Sequence, residues 1–403
     1  MRYGLIGSPL GHSYSPELHR RLHGQPYELL PLPPSDLPGF FARRDFEGVN
    51  VTIPYKKDVV PYCDALSETA RRAGSVNTIV KRPDGTLFGD NTDLAGFQFM
   101  LREAGITLEG KHVLVLGNGG ASLTVQLAAA DACAQSVAVI KIGGYHGIYE
   151  RCADAQVIVN ATPVGMYPNP AACLVELSRF PRLEAAVDLI YNPLRTRFLQ
   201  QAERLGLRTA GGLNMLVAQA AQAAKLFFGD TVKMADTARV LADMRASLCN
   251  WVLVGMPGCG KSTLGACLAR RAGRAFIDLD AVIEARAGQS PGEMISRRGE
   301  AAFRLLESEV TAEFGAKTGL VIATGGGTVL RKENTAALRQ NGKVLWIQRD
   351  ISLLPTKNRP LSADLAALEK RRAPAYRDAA DAVIQNDGDW PTLCEQAWEV
   401  FAQ

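Results

Sequence analysis

The feature that most constrains this chain is a glycine-rich segment, GMPGCGKST, at residues 255–263. An apolar run that predicts a strand, residues 251–254, precedes it directly, and a helical pattern begins near Lys261. Between a strand and a helix this pattern predicts a phosphate-binding loop, because glycines let backbone N–H groups turn towards an anion at a helix N-terminus. The loop residues predicted to contact a nucleotide or its magnesium ion are Gly258, Cys259, Gly260, Lys261, Ser262 and Thr263. A glycine-rich turn without a ligand is the alternative.

Composition narrows the class of protein. A chain of 403 residues with a hydrophobic fraction of 47% is long enough for two or more domains. The net charge of +4 is small and the basic residues are interspersed with acidic ones, so nucleic acid is not expected as a partner. The eight cysteines form no C-x-x-C pair, which predicts free thiols in a reducing compartment. Neither a signal segment nor a membrane span is expected, and the sequence therefore predicts a cytoplasmic protein.

Four polar turns follow strand-like segments in the first hundred residues. They carry Ser13 with Ser15, then Lys56, then Asn77, and finally Asp93. Each has an ordinary explanation: Ser15 as a helix cap, Lys56 as a solvated surface charge, and the last two as Asx turns. Because all four stand at strand ends, we expect them to converge at one edge of an α/β sheet.

A dinucleotide-type turn follows a buried strand at residues 111–116, with Ser122 at the position of the third glycine. The strand after it, predicted over residues 136–142, should end at the residue that contacts the cofactor ribose. Lys141 stands there and no acid is present, which favours a 2′-phosphate over a free 2′-hydroxyl. The segment that follows is short for a crossover helix. Repeated strand–turn–helix units predict a doubly wound sheet.

The residues beyond the phosphate loop add charged groups and a second glycine run. Residues 275–280 are predicted to form a strand that ends in Asp278 and Asp280 on opposite sides of the pleat, for a metal ion and a substrate hydroxyl, with helix capping as the alternative. Arg304 is predicted on a helix, where a surface charge is the ordinary interpretation. Another strand ends in three consecutive glycines at 325–327, which allow a ligand to approach the main chain closely.

The first 245 residues or so resemble the shikimate dehydrogenase family, because six separated motifs occur in order: GSPLGHSYSP, NVTIPYK, SVNT, DNTD, NATPVGM and GGLNMLVAQ. The resemblance implies Lys56 and Asp93 as the catalytic pair. It implies a substrate site made of Ser13, Ser15, Thr52, Asn77, Asp93, Tyr191 and Gln219. It implies an NADP site made of Gly117, Asn118, Gly119, Gly120, Ala121, Lys141, Thr162 and Met215. This chain has Lys141-Ile142-Gly143 where the family has Asn-Arg-Thr.

Residues from about 250 to 400 resemble the shikimate kinase family through the phosphate loop, the D-x-D pattern, G-E-x-x-F-R, the triple glycine and R-x-P-x-Y. The resemblance implies ATP with magnesium as the phosphoryl donor, Lys261 and Asp280 as catalytic residues, and Ser262 with Asp278 near the metal ion. It implies a shikimate site made of Asp280, Arg304, Gly325, Gly326, Gly327 and Arg372. A lid at 354–361 places Arg359 near the nucleotide, and Pro355 stands where the family has a second arginine.

Together these patterns predict an α/β chain with a two-part dehydrogenase-like unit followed by a phosphate-loop kinase domain with a parallel sheet and a lid. The predicted domains are residues 1–95 for substrate, completed by helices within 212–248, residues 96–211 as a Rossmann-type NADP domain, and residues 249–403 as the kinase. The implied small-molecule partners are 3-dehydroshikimate, shikimate and ATP, and a homo-oligomer is left open. The alternatives are an NAD-preferring quinate or shikimate dehydrogenase half, and a weakly active scaffold.

Overall fold

The chain folds as two units, Met1–Met244 and Arg245–Gln403. The computed structural model describes residues 2–11, 13–354, 365–386 and 388–402. The sequence placed the boundary near residue 248, so the two positions differ by a few residues. Each unit carries its own sheets and its own buried apolar clusters, as expected when a chain exceeds the size of one core.

The first sheet of the first unit is mixed. Its strands are β1 (Tyr3–Gly7), β2 (Glu28–Pro31), β3 (Gly48–Val51), β4 (Ala65–Leu66), β5 (Thr78–Lys81) and β6 (Leu87–Asp90). Their order is β2-β1-β3-β5-β6-β4, with β1 parallel to both of its neighbours and β5 antiparallel to both of its own. The turns after β1 and β3 therefore lie at the same edge, next to the start of β5 and the end of β6.

The second sheet of this unit is entirely parallel. Its strands are β7 (His112–Leu116), β8 (Ser136–Ile140), β9 (Val157–Asn160), β10 (Ala185–Asp188) and β11 (Arg208–Gly211), in the order β11-β10-β9-β7-β8. Every residue of β9 and β10 is buried, as expected for parallel strands covered on both faces. Since β7 lies between β8 and β9, the glycine turn after β7 occupies the point where the strand order reverses, which is the usual ligand site of such sheets.

Nine helices are described up to residue 248, and the last of them extends past the end of the first unit. They are α1 (Ser15–His23), α2 (Leu37–Arg43), α3 (Glu68–Ala73), α4 (Asp93–Glu103), α5 (Gly120–Asp131), α6 (Ile148–Arg151), α7 (Arg197–Arg204), α8 (Gly212–Phe228) and α9 (Met234–Leu248). Helix α8 follows the second sheet in the chain but packs against α1 and α4. The late helix thus returns to the residues around the first sheet. The predicted short segment after β8 contains only the four-residue helix α6.

The second unit contains one parallel sheet with the order β13-β14-β12-β15-β16, formed by β12 (Asn250–Val254), β13 (Phe276–Asp278), β14 (Val321–Ala323), β15 (Gly342–Gln348) and β16 (Ala382–Gln385). Its helices are α10 (Lys261–Ala272), α11 (Leu279–Ala287), α12 (Pro291–Arg298), α13 (Glu300–Ala316), α14 (Lys332–Asn341), α15 (Leu365–Ala379) and α16 (Trp390–Ala402). The chain order reverses at β12, and the phosphate loop follows that strand. The predicted α/β class is confirmed in both units.

Two local predictions about strand ends were wrong. Strand β8 ends at Ile140, before the predicted end at residue 142. Strand β13 ends at Asp278, and Asp280 lies in the first turn of α11 instead of on the pleat. The reason is that the Asp278 carboxylate accepts the N–H groups of Asp280 and Ala281, at 3.0 and 3.4 Å, and so starts the helix there.

All eight cysteines are free thiols, as predicted from their spacing. Within the described ranges, none of the helices has both the length and the apolar character needed to cross a membrane.

Candidate active sites

Lys56 and Asp93 form an ion pair at the edge of the first sheet. Lys56 lies in the turn after β3 and Asp93 is the first residue of α4, and their Nζ and Oδ2 atoms are 2.6 Å apart. The ammonium side chain is 31% exposed and the carboxylate 14%. Lys56, for which a solvated surface charge was the alternative, is thus partly exposed but paired with Asp93, and the pair is accessible to a ligand from the ammonium side.

Asn77 fixes the carboxylate of this pair. Its Nδ2 donates to Asp93 Oδ1 at 2.8 Å, while its Oδ1 accepts the backbone N–H of Thr92 at 2.9 Å and the Thr78 hydroxyl at 3.0 Å. Because the amide oxygen already has donors, the amide nitrogen must face Asp93. Gln219 on α8 reaches the same cluster, with its Oε1 3.5 Å from the Thr92 hydroxyl.

A buried polar network continues behind Asn77, and no pattern along the chain indicated it. Asn50 donates to Thr78 Oγ1 at 3.0 Å and accepts the Tyr27 hydroxyl at 2.8 Å. The His19 ring stacks on Tyr27 with centroids 4.0 Å apart, and its Nδ1 lies 3.0 Å from His23 Nε2. Burial lowers the pKa of His19 to about 3 and that of His23 to about 4. Both rings are therefore neutral at physiological pH, and the network adds no charge behind the ion pair.

The serine turn lies beside a tyrosine pair. Ser13 Oγ accepts the backbone N–H of Ser15 at 3.2 Å. Tyr14 is the N-cap residue of α1 and no side chain caps this helix, so the alternative that Ser15 caps it was wrong. The rings of Tyr14 and Tyr191 have centroids 5.8 Å apart, which brings the serine turn near the loop after β10. Burial raises the pKa of both hydroxyls.

Thr52 lies at the same edge, held by close contact between strand ends. A Cβ atom at Gly7 would lie 2.5 Å from Thr52 Cγ2, so glycine is required for this approach. Helices α4 and α8 also approach closely, since a Cβ at Gly96 would lie 2.8 Å from the Met215 carbonyl oxygen and 3.0 Å from Gln219 Cβ. Met215 packs on the apolar cluster of the second sheet. Its predicted cofactor role stays a prediction.

The glycine turn after β7 leaves the start of α5 open. Gly117 has φ +108° and its Cβ would lie 2.8 Å from Thr162 Cγ2, so only glycine fits. Residues 118–121 are exposed, and no side chain caps α5 at Gly119. Backbone N–H groups at an uncapped helix start are available to an anion.

Thr162 and Lys141 flank this turn in different ways. The Thr162 hydroxyl is buried, donates to Asn160 Oδ1 at 2.7 Å and accepts the Val164 N–H at 3.1 Å, which is a turn-stabilising role. Lys141 is exposed directly after β8, and the Ile140 carbonyl before it accepts the Gly117 N–H at 2.7 Å. The lysine thus starts beside the glycine turn, where a cation could face a phosphate.

In the second unit the phosphate loop holds Lys261 in place. The Lys261 side chain is buried, and its Nζ donates to the carbonyl oxygens of Gly255 and Met256, both at 3.0 Å. Next to it, the Ser262 hydroxyl donates to Asp278 Oδ2 at 2.6 Å. Asp278 therefore caps α11 with Oδ1 and accepts the Ser262 hydroxyl with Oδ2. Thr263 is exposed on the first turn of α10.

Asp280 lies where the charges of this unit converge. Burial raises its pKa to about 6; Lys261 and Arg304 pull it down, while Asp278 and Glu307 push it up. A carboxyl group with a pKa close to neutral is a better proton acceptor than an ordinary aspartate, while still being mostly ionised at pH 7.

The triple glycine lies against the predicted substrate residues. A Cβ at Gly325 would lie 2.6 Å from Asp280 Oδ1, and one at Gly327 would lie 2.6 Å from Arg304 Nη1. A Cβ at Gly326 would lie 3.0 Å from Arg372 Nη1. The absence of side chains here lets three charged groups from three helices reach one surface of the main chain.

The two arginines differ in their partners. Arg304 is paired with Glu307 at 2.7 Å and with Glu300 at 3.2 Å. Arg372 is 4% exposed, and its Nε and Nη1 have no hydrogen-bond partner among the residues that the structure describes. A buried guanidinium normally pairs with an anion, so these two nitrogens are available to an anionic group. Arg359 and the rest of the lid after Leu354 lie outside the described residues.

Several site residues were not found from the sequence. Glu307 is 1% exposed; it pairs with Arg304 and accepts the Thr328 hydroxyl at 2.9 Å. Its i, i+3 spacing from Arg304 could have suggested the ion pair. Tyr376 donates its hydroxyl to the Gly326 carbonyl oxygen. This residue was part of the quoted R-x-P-x-Y pattern, but no role was given to it.

Comparison with known proteins agrees with this geometry. The family model "Shikimate dehydrogenase substrate binding domain" matches residues 5–79, and the model "Shikimate kinase" matches residues 257–401. A protein from Clostridium perfringens named "Shikimate dehydrogenase (NADP(+))" is 33% identical over 275 residues, which are 60% of this chain and 98% of that protein. The chain belongs to the shikimate dehydrogenase family. Its second unit is a shikimate kinase domain, and the predicted fusion of the two is confirmed.

Solved structures resemble the dehydrogenase unit. The shikimate 5-dehydrogenase of Thermus thermophilus, in complex with NADP(H) and shikimate, has a TM-score of 0.54 and 35% identity over 60% of this chain and 99% of that one. The Listeria monocytogenes enzyme, in complex with shikimate and NAD, has a TM-score of 0.51 and 26% identity over 60% and 96%. The chain is thus a shikimate-pathway oxidoreductase joined to a kinase.

Proposed function

We propose that the dehydrogenase unit reduces 3-dehydroshikimate to shikimate with NADPH, and that the kinase unit phosphorylates the 3-hydroxyl of shikimate with ATP. The observation that carries the proposal is the buried Arg372, whose Nε and Nη1 have no hydrogen-bond partner among the described residues and which, like Asp280, lies against the triple glycine. It suits a small acid that carries hydroxyl groups, because the carboxylate would pair with the guanidinium and a hydroxyl would face Asp280. The product of the first reaction has this chemistry.

In the dehydrogenase unit the nicotinamide cofactor supplies the hydride. Lys56 donates a proton to the carbonyl oxygen of the substrate as that oxygen becomes a hydroxyl. Asp93, whose Oδ2 lies 2.6 Å from the ammonium, holds Lys56 in position and accepts a hydrogen bond from a substrate hydroxyl. Asn77 keeps the Asp93 carboxylate from rotating by its 2.8 Å bond. Ser13 and Ser15 are proposed to bind the carboxylate, and Thr52, Asn77 and Gln219 the ring hydroxyls, with Tyr191 closing the site.

In the kinase unit the loop N–H groups and Lys261 bind the phosphates of ATP. Asp280 accepts the proton of the attacking hydroxyl, for which its raised pKa of about 6 is suitable. Arg304 and Arg372 hold the carboxylate, and Gly325, Gly326 and Gly327 line the pocket. Phosphoryl transfer depends mainly on positioning and charge neutralisation, which these groups supply.

The cofactors proposed are NADP(H) for the first unit and ATP with Mg²⁺ for the second. Ser262 and Asp278 fit a magnesium ion, because their oxygens lie 2.6 Å from each other beside the phosphate loop and Mg²⁺ prefers hydroxyl and carboxylate oxygens together with those of the phosphates. For NADP(H), Lys141 and the glycine turn 117–121 supply the cation and the N–H groups.

A second candidate is a dehydrogenase unit that uses NAD as well or prefers it. What favours it is that β8 is followed by Lys141-Ile142-Gly143, without the arginine of the family, and then by the four-residue helix α6. A related structure contains NAD with shikimate. A weakly active dehydrogenase unit that serves as a scaffold has no specific observation in its favour.

One coupled assay tests the proposal. The purified chain receives 3-dehydroshikimate, ATP and either NADPH or NADH, and both nicotinamide oxidation and ADP release are followed. We expect NADPH to support the faster oxidation, with shikimate 3-phosphate as the end product. Lys261→Ala should stop ADP release and leave the oxidation of NADPH unchanged. No ADP release from the parent chain with added shikimate would contradict the kinase half.

A further inference from the structure

The phosphate loop is held from outside by two side chains that lie far from it in the sequence. Asn386, the residue after β16, donates its Nδ2 to the Cys259 carbonyl oxygen at 2.8 Å. Arg349, the residue after β15, donates its Nη1 to the Gly258 carbonyl oxygen at 3.1 Å. Two consecutive carbonyl groups of the loop are therefore fixed by donors from two neighbouring strand ends.

The hydrogen bond to the Cys259 carbonyl also sets the direction of the next N–H group in the loop. In a trans peptide the C=O and the following N–H point in opposite directions. When Asn386 holds the Cys259 carbonyl, the N–H of Gly260 must point away from Asn386. This N–H donates to no acceptor within the described ranges, whereas that of Cys259 closes a turn onto the Met256 carbonyl at 3.2 Å. The Gly260 N–H is thus oriented and available before any nucleotide arrives.

Asn386 is itself firmly fixed. Its side chain is 6% exposed, its Oδ1 accepts the Gly388 N–H at 3.3 Å, and its own N–H donates to the Gln348 carbonyl at 2.8 Å. Since the Oδ1 is occupied by a donor, the amide nitrogen must face Cys259. A Cβ at Gly260 would lie 2.9 Å from Asn386 Nδ2, so the amide also packs directly on the loop.

Arg349 brings a positive charge to the loop; its bond to Gly258 and that of Asn386 to Cys259 together form a clamp on the loop. Its Nε is buried and has no hydrogen-bond partner in the part of the chain that the structure describes. The bond to the Gly258 carbonyl keeps the positive charge of the guanidinium next to the loop. A cation behind a loop that binds a polyanion strengthens binding without touching the phosphates.

We propose that Asn386 and Arg349 are positioning residues that set the affinity of the phosphate loop for ATP. The inference rests on the proposed kinase function and adds the residues that hold the loop in its binding conformation. Neither residue is needed for binding shikimate, because Asp280, Arg304 and Arg372 lie on the acceptor side.

The test uses the full-length chain with Asn386→Leu and, separately, Arg349→Met. Asn386→Leu keeps the side-chain size and removes the amide. We expect the KM for ATP to rise about 5- to 30-fold, the effect of one lost hydrogen bond that orients a binding group. The KM for shikimate should stay within about twofold, because the acceptor side is unchanged. Arg349→Lys, which keeps the charge, should recover part of the ATP affinity lost in Arg349→Met.

The matched control is Gln385→Leu, which removes an exposed amide next to Asn386 that donates to the Gln348 side chain. It should leave both KM values unchanged. The unfolding transition followed by tryptophan fluorescence checks that the kinase unit of each variant is folded, because all four tryptophans lie in that unit. An unchanged KM for ATP in both variants, or an equal rise for ATP and shikimate, would overturn the proposal.

Calorimetric titration with ATP separates this proposal from the kinase function. If the parent chain binds ATP but does not phosphorylate shikimate, the proposed acceptor is wrong, and weaker ATP binding by Asn386→Leu would still support the clamp. If the parent chain binds no ATP, both are overturned.

Discussion

The two active sites of this chain balance their charges in different ways. In the dehydrogenase unit Lys56 and Asp93 neutralise each other at 2.6 Å. In the kinase unit Arg372 is buried, and two of its guanidinium nitrogens have no partner among the described residues. Burying a cation without an anion costs stability that an anionic ligand can offset. The first site is thus assembled before its ligand arrives, whereas the second is completed by it.

The largest effect is expected from breaking the ion pair. Lys56→Met should lower the rate of shikimate oxidation by roughly 10² to 10⁴, the range for loss of a general acid or base. The unfolding free energy should fall by only about 1 kcal/mol or less, because the ammonium is 31% exposed and solvent screens the pair. Phosphorylation of added shikimate by the same variant is the control and should not change.

Arg372→Met should impair shikimate phosphorylation without lowering the stability of the kinase unit. It should lower kcat/KM for shikimate phosphorylation on the order of 10²-fold, as expected when a buried partner of a carboxylate is removed. The unfolding midpoint of the kinase unit should stay the same or rise, since the variant removes a buried charge whose Nε and Nη1 have no partner among the described residues. All four tryptophans lie in this unit, so their fluorescence reports on it selectively.

Arg371→Met is the matched control, because Arg371 is the exposed neighbour on α15. It should change neither the phosphorylation rate nor the fluorescence midpoint. A clear loss of stability in Arg372→Met would show that this arginine has a structural partner, and the contrast between the two sites would disappear.

The pH dependence of the kinase should reflect Asp280. With a pKa of about 6, the carboxylate is protonated as the pH falls through that value, and the phosphorylation rate should fall with it. Asp280→Asn should be slow at every pH and should lose this step. The effect on stability has the opposite sign, because the folded unit favours the protonated carboxyl. The ionised carboxylate lowers the unfolding free energy above about pH 6, and this loss disappears as the pH falls towards 3.8, the ordinary pKa of an aspartate. A rate that is flat between pH 7 and pH 5 in the parent would argue against Asp280 as the base.

The smallest effect concerns the neutral histidines behind the dehydrogenase site. The pKa of His19 falls from 6.5 to about 3 on folding, so the unfolded chain takes up the proton first. The unfolding free energy of this unit should therefore decrease as the pH falls below 6.5, until about pH 3. Asp188, with a pKa raised by burial to about 6, opposes part of this change.

His19→Phe, which retains an aromatic ring on Tyr27, should reduce the pH dependence of urea unfolding followed by circular dichroism. The exposed His146→Gln is the control and should retain it. The tryptophan transition of the kinase unit should be the same in both variants.

Local patterns in the sequence predicted much of these sites, whereas contacts between distant residues were not predictable. The glycine turns, Lys56 and Arg372 stand at strand ends or in motifs that are read within a few residues. Asn386 and Cys259, by contrast, are 127 positions apart, and no pattern along the chain links them. The position of Asp280 was predicted wrongly because the capping oxygen of Asp278 stopped the strand two residues earlier. The roles assigned to site residues from the family resemblance stay predictions.

The triple glycine has a consequence for experiments that select variants. A Cβ at Gly325 would meet the side-chain ends of Asp280, Thr328 and Glu307, and one at Gly327 would meet that of Arg304, whereas Gly315 in the same unit faces the Ala337 backbone oxygen, 2.7 Å from its would-be Cβ. Alanine at 325 or 327 therefore requires only side chains to shift, but alanine at 315 must displace a helix. A screen for soluble expression should therefore accept changes at 325 and 327 that a screen for growth without aromatic amino acids rejects, and both screens should reject changes at 315.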